Sequence, residues 1–156
     1  MSSETTKSIV AAWEKHCQLN QNFIKAIQEE ALSAKLLRKG RSVGAIIAHM
    51  HNNRLDWLKP GAPELHEDLS KIQRGQTKDL DFLLTNLEQS GTAVSQWLTD
   101  SLDEGGKVKV LGGQAASLMG YLIAHESYHH GEIGLILGHS GFALDNNEAY
   151  ALWNWK

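Results

Sequence analysis

The sequence predicts an all-α four-helix bundle, and three observations predict it. Four long segments place apolar residues at steps of three and four, the spacing that lines them along one helix face. Strand patterning is nearly missing: only Lys107-Val108-Lys109-Val110 alternates, and four residues make a weak strand. The chain has 156 residues, which suits one domain over 1–156. At that size about two-thirds of the unfolded surface can be buried, so the four stripes must pack on one another.

The elements follow in order. Residues 4–30 form the first helix, with Ile9, Trp13, Cys17, Asn20, Phe23, Ile24 and Ile27 on one face and Ser3 as a start signal. The segment 31–41 is looser and ends at Gly40. Ser42 is an N-cap for a second helix, 43–58, whose stripe carries Val43, Ile46, Ile47, Met50 and Trp57. Pro60 stops it, because the residue before a proline avoids helical angles. Residues 59–75 make a long connection with room for a short helical turn around 64–72. A third helix, 77–102, sets Leu80, Leu83, Leu84, Leu87, Val94, Trp97, Leu98 and Leu102 on one side. Gly91 weakens it by about 1 kcal/mol relative to alanine and marks a close helix approach or a kink. After a loop over 104–113, the fourth helix, 114–138, carries Leu118, Leu122, His125, His129, Ile133 and Ile136. The tail 142–156 ends in Leu152-Trp153-Asn154-Trp155, which predicts docking on the body. Extended, the 59–75 connection spans about 56 Å, whereas an 18-residue helix is about 27 Å long. Helices two and three can therefore lie parallel, joined by a long crossover.

Composition excludes several function classes. Lys plus Arg is 15 and Asp plus Glu is 18, a net charge of −3, so an electrostatic nucleic-acid partner is not expected. No apolar run approaches the roughly 20 residues of a membrane span, and Met1-Ser2-Ser3-Glu4 lacks the basic and apolar regions of a signal peptide. A cytoplasmic protein without a membrane partner is the expectation. The single cysteine, Cys17, rules out an internal disulfide framework and a cysteine-rich zinc finger. Its place on an apolar stripe predicts a buried, inert thiol.

Eight histidines are the informative excess. In His125-Glu126-Ser127-Tyr128-His129-His130-Gly131-Glu132, residues 125 and 129 differ by about 40° around a helix and about 6 Å along it. Both then face the core, and buried imidazoles need partners for their nitrogens. Two rings so placed can reach one metal at about 2.0–2.1 Å. A third ligand comes from the second helix. His49 and His51 point about 200° apart, and His49 is the one whose side also holds Ala45, Ile46 and Asn53. Three neutral imidazoles with an open position describe a reactive site, not a closed structural one. They suit zinc, nickel, iron or copper, with zinc or nickel expected. His16, His66 and His139 read as surface or loop residues, and His130 as a residue at the mouth of the site. Asn53 and Asp56 belong either to a pocket or to a solvated face.

The same residues also fit H-E-x-x-H, a zincin-type hydrolase motif in which Glu126 is the general base and Glu148 stands at a third-ligand distance. The extended metzincin form fails at Glu132 and Leu135. A di-iron carboxylate site fails too, since Glu126–His129 alone fits the required Glu-x-x-His. A non-enzymatic metal- or ligand-binding module of a stress response is the main alternative.

The run from His125 to Ile133, followed by Gly138 and Gly141, resembles the last helix of the DinB/YfiT-like family: H-x-x-x-H, a basic residue, Gly, a Gln-type residue and Ile. The segment Ser42–His49, eight residues before Trp57, resembles its second helix. The resemblance implies a crossover bundle, a homodimer, and a divalent metal held by His49, His125 and His129. It further implies a small-molecule substrate and, from some relatives, thiol S-transferase or isomerase activity with a low-molecular-weight thiol as co-substrate. Two departures bear on substrate choice. His130 stands where arginine is common. Glu132 stands where glutamine is common, and it can accept the N–H of a ligand histidine.

Overall fold

A computed structural model describes residues 3–155. Four long helices build it: α1 (Ser3–Lys25), α2 (Val43–Gly61), α4 (Leu80–Asp103) and α5 (Ala115–His139). Two short ones, α3 (Pro63–His66) and α6 (Asn146–Tyr150), lie in the crossover and the tail. No strand occurs among the described residues; Lys107 and Gln114 form an isolated bridge.

Side-chain pairs give the helix directions. Between α1 and α4, Gln21 Nε2 donates to the Leu84 carbonyl, Trp13 Nε1 to the Gly91 carbonyl, and Ser95 Oγ to Glu14, an antiparallel register. Between α2 and α4, Gly44 meets Thr77, Arg54 meets Leu87, and Gly61 meets Trp97, a parallel register. α5 runs antiparallel to α2, with His49 beside His125 and Asn53 beside Tyr121. The order is up-down-down-up, so the expected crossover is present. Its return strap is held to α2. Asn52 pairs through both side-chain groups with the backbone of Ile72, at 3.0 and 2.9 Å, and His51 Nε2 donates to the Ser70 carbonyl at 3.0 Å. Ile72 is buried by this anchoring.

Several boundaries differ from the sequence expectation. α1 ends at Lys25, and a separate 3-10 turn, Glu29–Ser33, brings Ala31 and Leu32 into the core. Ser3 is already the first residue of α1. Pro60 does not stop α2, which runs to Gly61 before Ala62 leaves helical angles. Pro60 is the next-to-last residue of α2; its missing N–H forgoes one bond, to residue 56, and the Ala62 N–H still reaches the Leu58 carbonyl at 2.8 Å. Ser42 does cap α2, accepting from Ala45 N at 3.3 Å. Gly91 marks a close approach: a Cβ there would lie 3.1 Å from both Arg54 Nη1 and Cys17 Sγ. In the tail, Leu152 packs on the core, while Trp153 and Trp155 stay 76% and 49% exposed.

The apolar core has two parts. One gathers Ile46, Ile47, Leu83 and Ile133, the other Trp13, Leu58, Val94 and Leu118. Arg54 falls between Met50 and Leu58 on α2, and Glu126 between Leu122 and Ile133 on α5. A charged layer thus divides the two.

Candidate metal centre

α2 and α5 cross where their inward faces carry His49, His125 and His129. His125 Nε2 lies 3.2 Å from His49 Nε2 and 3.2 Å from His129 Nε2. One nitrogen from each ring falls within a cluster no more than 4.8 Å across, the one such group found among the described residues, and a metal ion fits it. Two ligands at about 2.0–2.1 Å from a tetrahedral ion stand about 3.3 Å apart, so the observed spacing needs little adjustment. The structure brings His49, not His51, beside His125 and His129, which lie one turn apart on α5.

Burial favours the neutral, lone-pair-bearing form of His49 and His125. Burial pushes His49 down to about 4, helped by the positive charge of Arg41, and burial also lowers His125. His129 Nδ1 lies 2.8 Å from a Glu132 carboxylate oxygen. A carboxylate only accepts, so His129 Nδ1 is the donor and Nε2 is the ring atom turned to the other two rings. This is the role expected for Glu132. Tyr121 stacks on His125 with centroids 5.8 Å apart, and Asn53 Nδ2 approaches the Tyr121 hydroxyl at 3.4 Å. Asn53 thus stands at the edge of the site, while Asp56 is an exposed partner of Lys71.

Glu126 does not belong to this site. It is fully buried and turned away from the three histidines, and its carboxylate accepts from Arg54 Nε at 2.7 Å and Nη2 at 2.8 Å. His16 Nε2 donates to it at 2.8 Å and Asn20 Nδ2 at 2.6 Å. Burial alone works against both charges, yet Glu126 is held below and Arg54 above their ordinary values, because their attraction and hydrogen bonds outweigh it. Arg54 also donates to the Leu87 carbonyl at 2.7 Å and lies 5.0 Å over the Trp13 ring. A carboxylate so tied cannot take a proton from water at the three histidines, and the hydrolase motif loses its base. The cause is the helical step of about 100° from His125.

Two further histidines differ from expectation. His16 is buried at 4% exposure, not on the surface, because α1 directs it with Asn20 at Glu126 and packs it against Trp13. His130 is not at the mouth of the site. One step past His129 turns it to α1, edge-on to Phe23 with centroids 5.0 Å apart, and burial pushes it down to about 4. His66 and His139 lie at the surface as expected, half-buried and exposed. Cys17 is half-buried beside Arg54, and burial pushes its thiol up to about 11, as an inert thiol requires. Arg54 and Glu126 left a legible trace in the sequence: each occupies an apolar-stripe position, four residues after Met50 and Leu122 respectively.

These features define a crossover helical bundle with a trihistidine cluster at its waist, the architecture of a metal-binding protein. The chain belongs to the DinB family, whose model matches residues 1–152. Comparison with curated proteins and with solved structures gave no match. No helix among the described residues is long and apolar enough to cross a membrane.

Proposed function

We propose that this protein binds a divalent metal, zinc or nickel, through His49, His125 and His129, and uses it in thiol S-transfer or isomerisation of a small molecule. The observation that carries this reading is the convergence of three ring nitrogens, with Glu132 holding the His129 proton on the far side. A bound divalent ion lowers the pKa of a coordinated thiol or water, which makes a nucleophile near neutral pH. The chain's own residues do the rest. His49 closes the site from α2, so metal retention depends on the α2–α5 crossing. Tyr121 orients the His125 ring by stacking, and Asn53 offers a polar group at the rim. Arg41 supplies a positive field that favours an anionic substrate group such as a thiolate.

In this reading the protein is cytoplasmic and a homodimer. The outward face of α5 supports the dimer: Ala124, Tyr128 and Leu135 are exposed in one row, the helix holds no lysine, arginine or aspartate, and its two carboxylates, Glu126 and Glu132, are taken up by Arg54 and His129. An uncharged helix face of this kind suits burial against a second copy.

Elemental analysis of the purified protein beside His49→Ala tests the site, with about one metal per chain expected in the former and a near-complete loss in the latter. Equal metal in both would remove His49 from the site. Turnover is tested with a panel of low-molecular-weight thiols and an electrophile, with metal-dependent consumption expected and abolished in His125→Ala. Metal bound without turnover would leave a non-enzymatic binding module.

A further inference from the structure

The candidate metal centre lies on one flank of α5. On the other flank, between α5, α1 and the C-terminal tail, is a cavity of about 510 Å³. Small-molecule sites commonly occupy about 300–1,000 Å³ and are apolar with a few placed polar groups. This one has that make-up. Phe23, Leu144, Leu152, Trp153 and Trp155 supply apolar wall, and no lysine, arginine, aspartate or glutamate lines it among the described residues. Gly131 and Gly134 form part of the α5 wall, and a Cβ at either would meet no described atom within 4 Å. The room beside them is open.

Two buried polar atoms belong to residues of this wall and have no partner among the described residues: Asn20 Oδ1 and His130 Nε2. The residues are 1% and 7% exposed. A buried polar group left without a hydrogen bond costs about 1–3 kcal/mol. For Asn20 the arrangement is forced. Its amide N–H must face the Glu126 carboxylate, so the amide oxygen must face away from it. The buried ion pair thus leaves an unpaired acceptor on a residue of the cavity wall.

We propose that this cavity is a second binding site, separate from the three histidines, for an uncharged, largely apolar small molecule that carries a hydroxyl or N–H donor. Asn20 Oδ1 accepts from that donor, and His130 Nε2 pairs with it or with a neighbouring polar atom. Charged molecules are disfavoured because the wall, whose titratable residues are His16 and His130, offers no lysine, arginine, aspartate or glutamate to meet them, and stripping an ion of water without a countercharge costs several kcal/mol. Trp153 and Trp155, exposed in the free protein, supply aromatic surface that the ligand covers.

The test uses the full chain and two dyes of similar shape. N-phenyl-1-naphthylamine is neutral with one N–H, and 8-anilinonaphthalene-1-sulfonate carries a negative charge. The neutral dye is expected to bind saturably, quench tryptophan fluorescence, and bind at least tenfold more tightly than the anionic one. Gly134→Leu fills the cavity from a position with space for it and is expected to weaken the neutral dye at least tenfold, with far-ultraviolet circular dichroism unchanged. Trp153→Ala, at an exposed position, is expected to weaken it severalfold. Metal content, measured on the same samples, stays at the wild-type level, so loss of the dye site and loss of the metal site are read separately. Equal affinity for both dyes, undiminished binding in Gly134→Leu, or no saturable binding overturns the proposal. So does release of the dye as protein concentration rises, which would mark the cavity as covered by a second copy.

Discussion

Replacing Glu126 by glutamine keeps the shape of the most buried acid in the protein and removes its charge. Four donors converge on the carboxylate: Arg54 Nε on Oε1, and Arg54 Nη2, His16 Nε2 and Asn20 Nδ2 on Oε2. A glutamine offers one acceptor oxygen and one NH2 group. In its better orientation the oxygen keeps the three donors at Oε2, and the new NH2 faces Arg54 Nε, donor against donor. Arg54, with no exposed surface, then holds a full charge without a countercharge. Removing one partner of such a pair costs about 3–5 kcal/mol. For a chain of this length each kcal/mol moves Tm by about 2–4 °C, so Glu126→Gln is expected to lower Tm by about 6–20 °C at pH 7. Replacing both partners, Arg54→Met with Glu126→Leu, is expected to recover much of that, since a buried pair offsets little more than its own desolvation. Because Glu126 is held below its ordinary range when folded, its contribution is fully present above the unfolded carboxyl value of about 4.3. It is lost as pH falls from there toward the lower folded value, so the gap between wild type and variant should narrow under acid. Thermal unfolding followed by circular dichroism between pH 3 and pH 7 measures both effects. A Tm within about 2 °C of wild type at pH 7 would refute the reasoning and return Glu126 to the hydrolase reading, which asks for a catalytic loss with stability intact.

Glu132→Ala frees His129 Nδ1 from its acceptor and is expected to weaken metal binding about 10–100-fold in a chelator competition, whereas Glu132→Gln keeps an acceptor and loses less. Metal at a hundred times its Kd adds about 2.7 kcal/mol, so Tm should rise by about 5–11 °C in wild type and stay unmoved in His49→Ala. Gly44→Ala drives a Cβ into the Thr77 carbonyl and is expected to cost about 1–3 kcal/mol or more, while Gly120→Ala, facing open space within α5, should gain about 0.5–1 kcal/mol; urea unfolding of the two variants checks the contrast.

Much of the architecture was readable along the chain because a helix repeats every 3.6 residues. That period located four long helices to within a few residues at most ends, and the length of the 59–75 connection permitted the parallel α2–α4 pair. It also put His125 and His129 on one face and chose His49 over His51. The pattern could say that Asn20, Arg54 and Glu126 occupy inward positions, but not what meets them there. Their partners lie far apart in sequence: His16 and Glu126 are separated by 110 residues and Arg54 and Glu126 by 72. Such pairings depend on which helices become neighbours and at what height, which no local period encodes. For the same reason only the packed bundle showed His130 turned to α1 and Glu126 turned from the metal ligands beside it. One residue step rotates a side chain by about 100°, and the neighbouring helix on that side decides whether the residue meets a metal, an arginine or a phenylalanine.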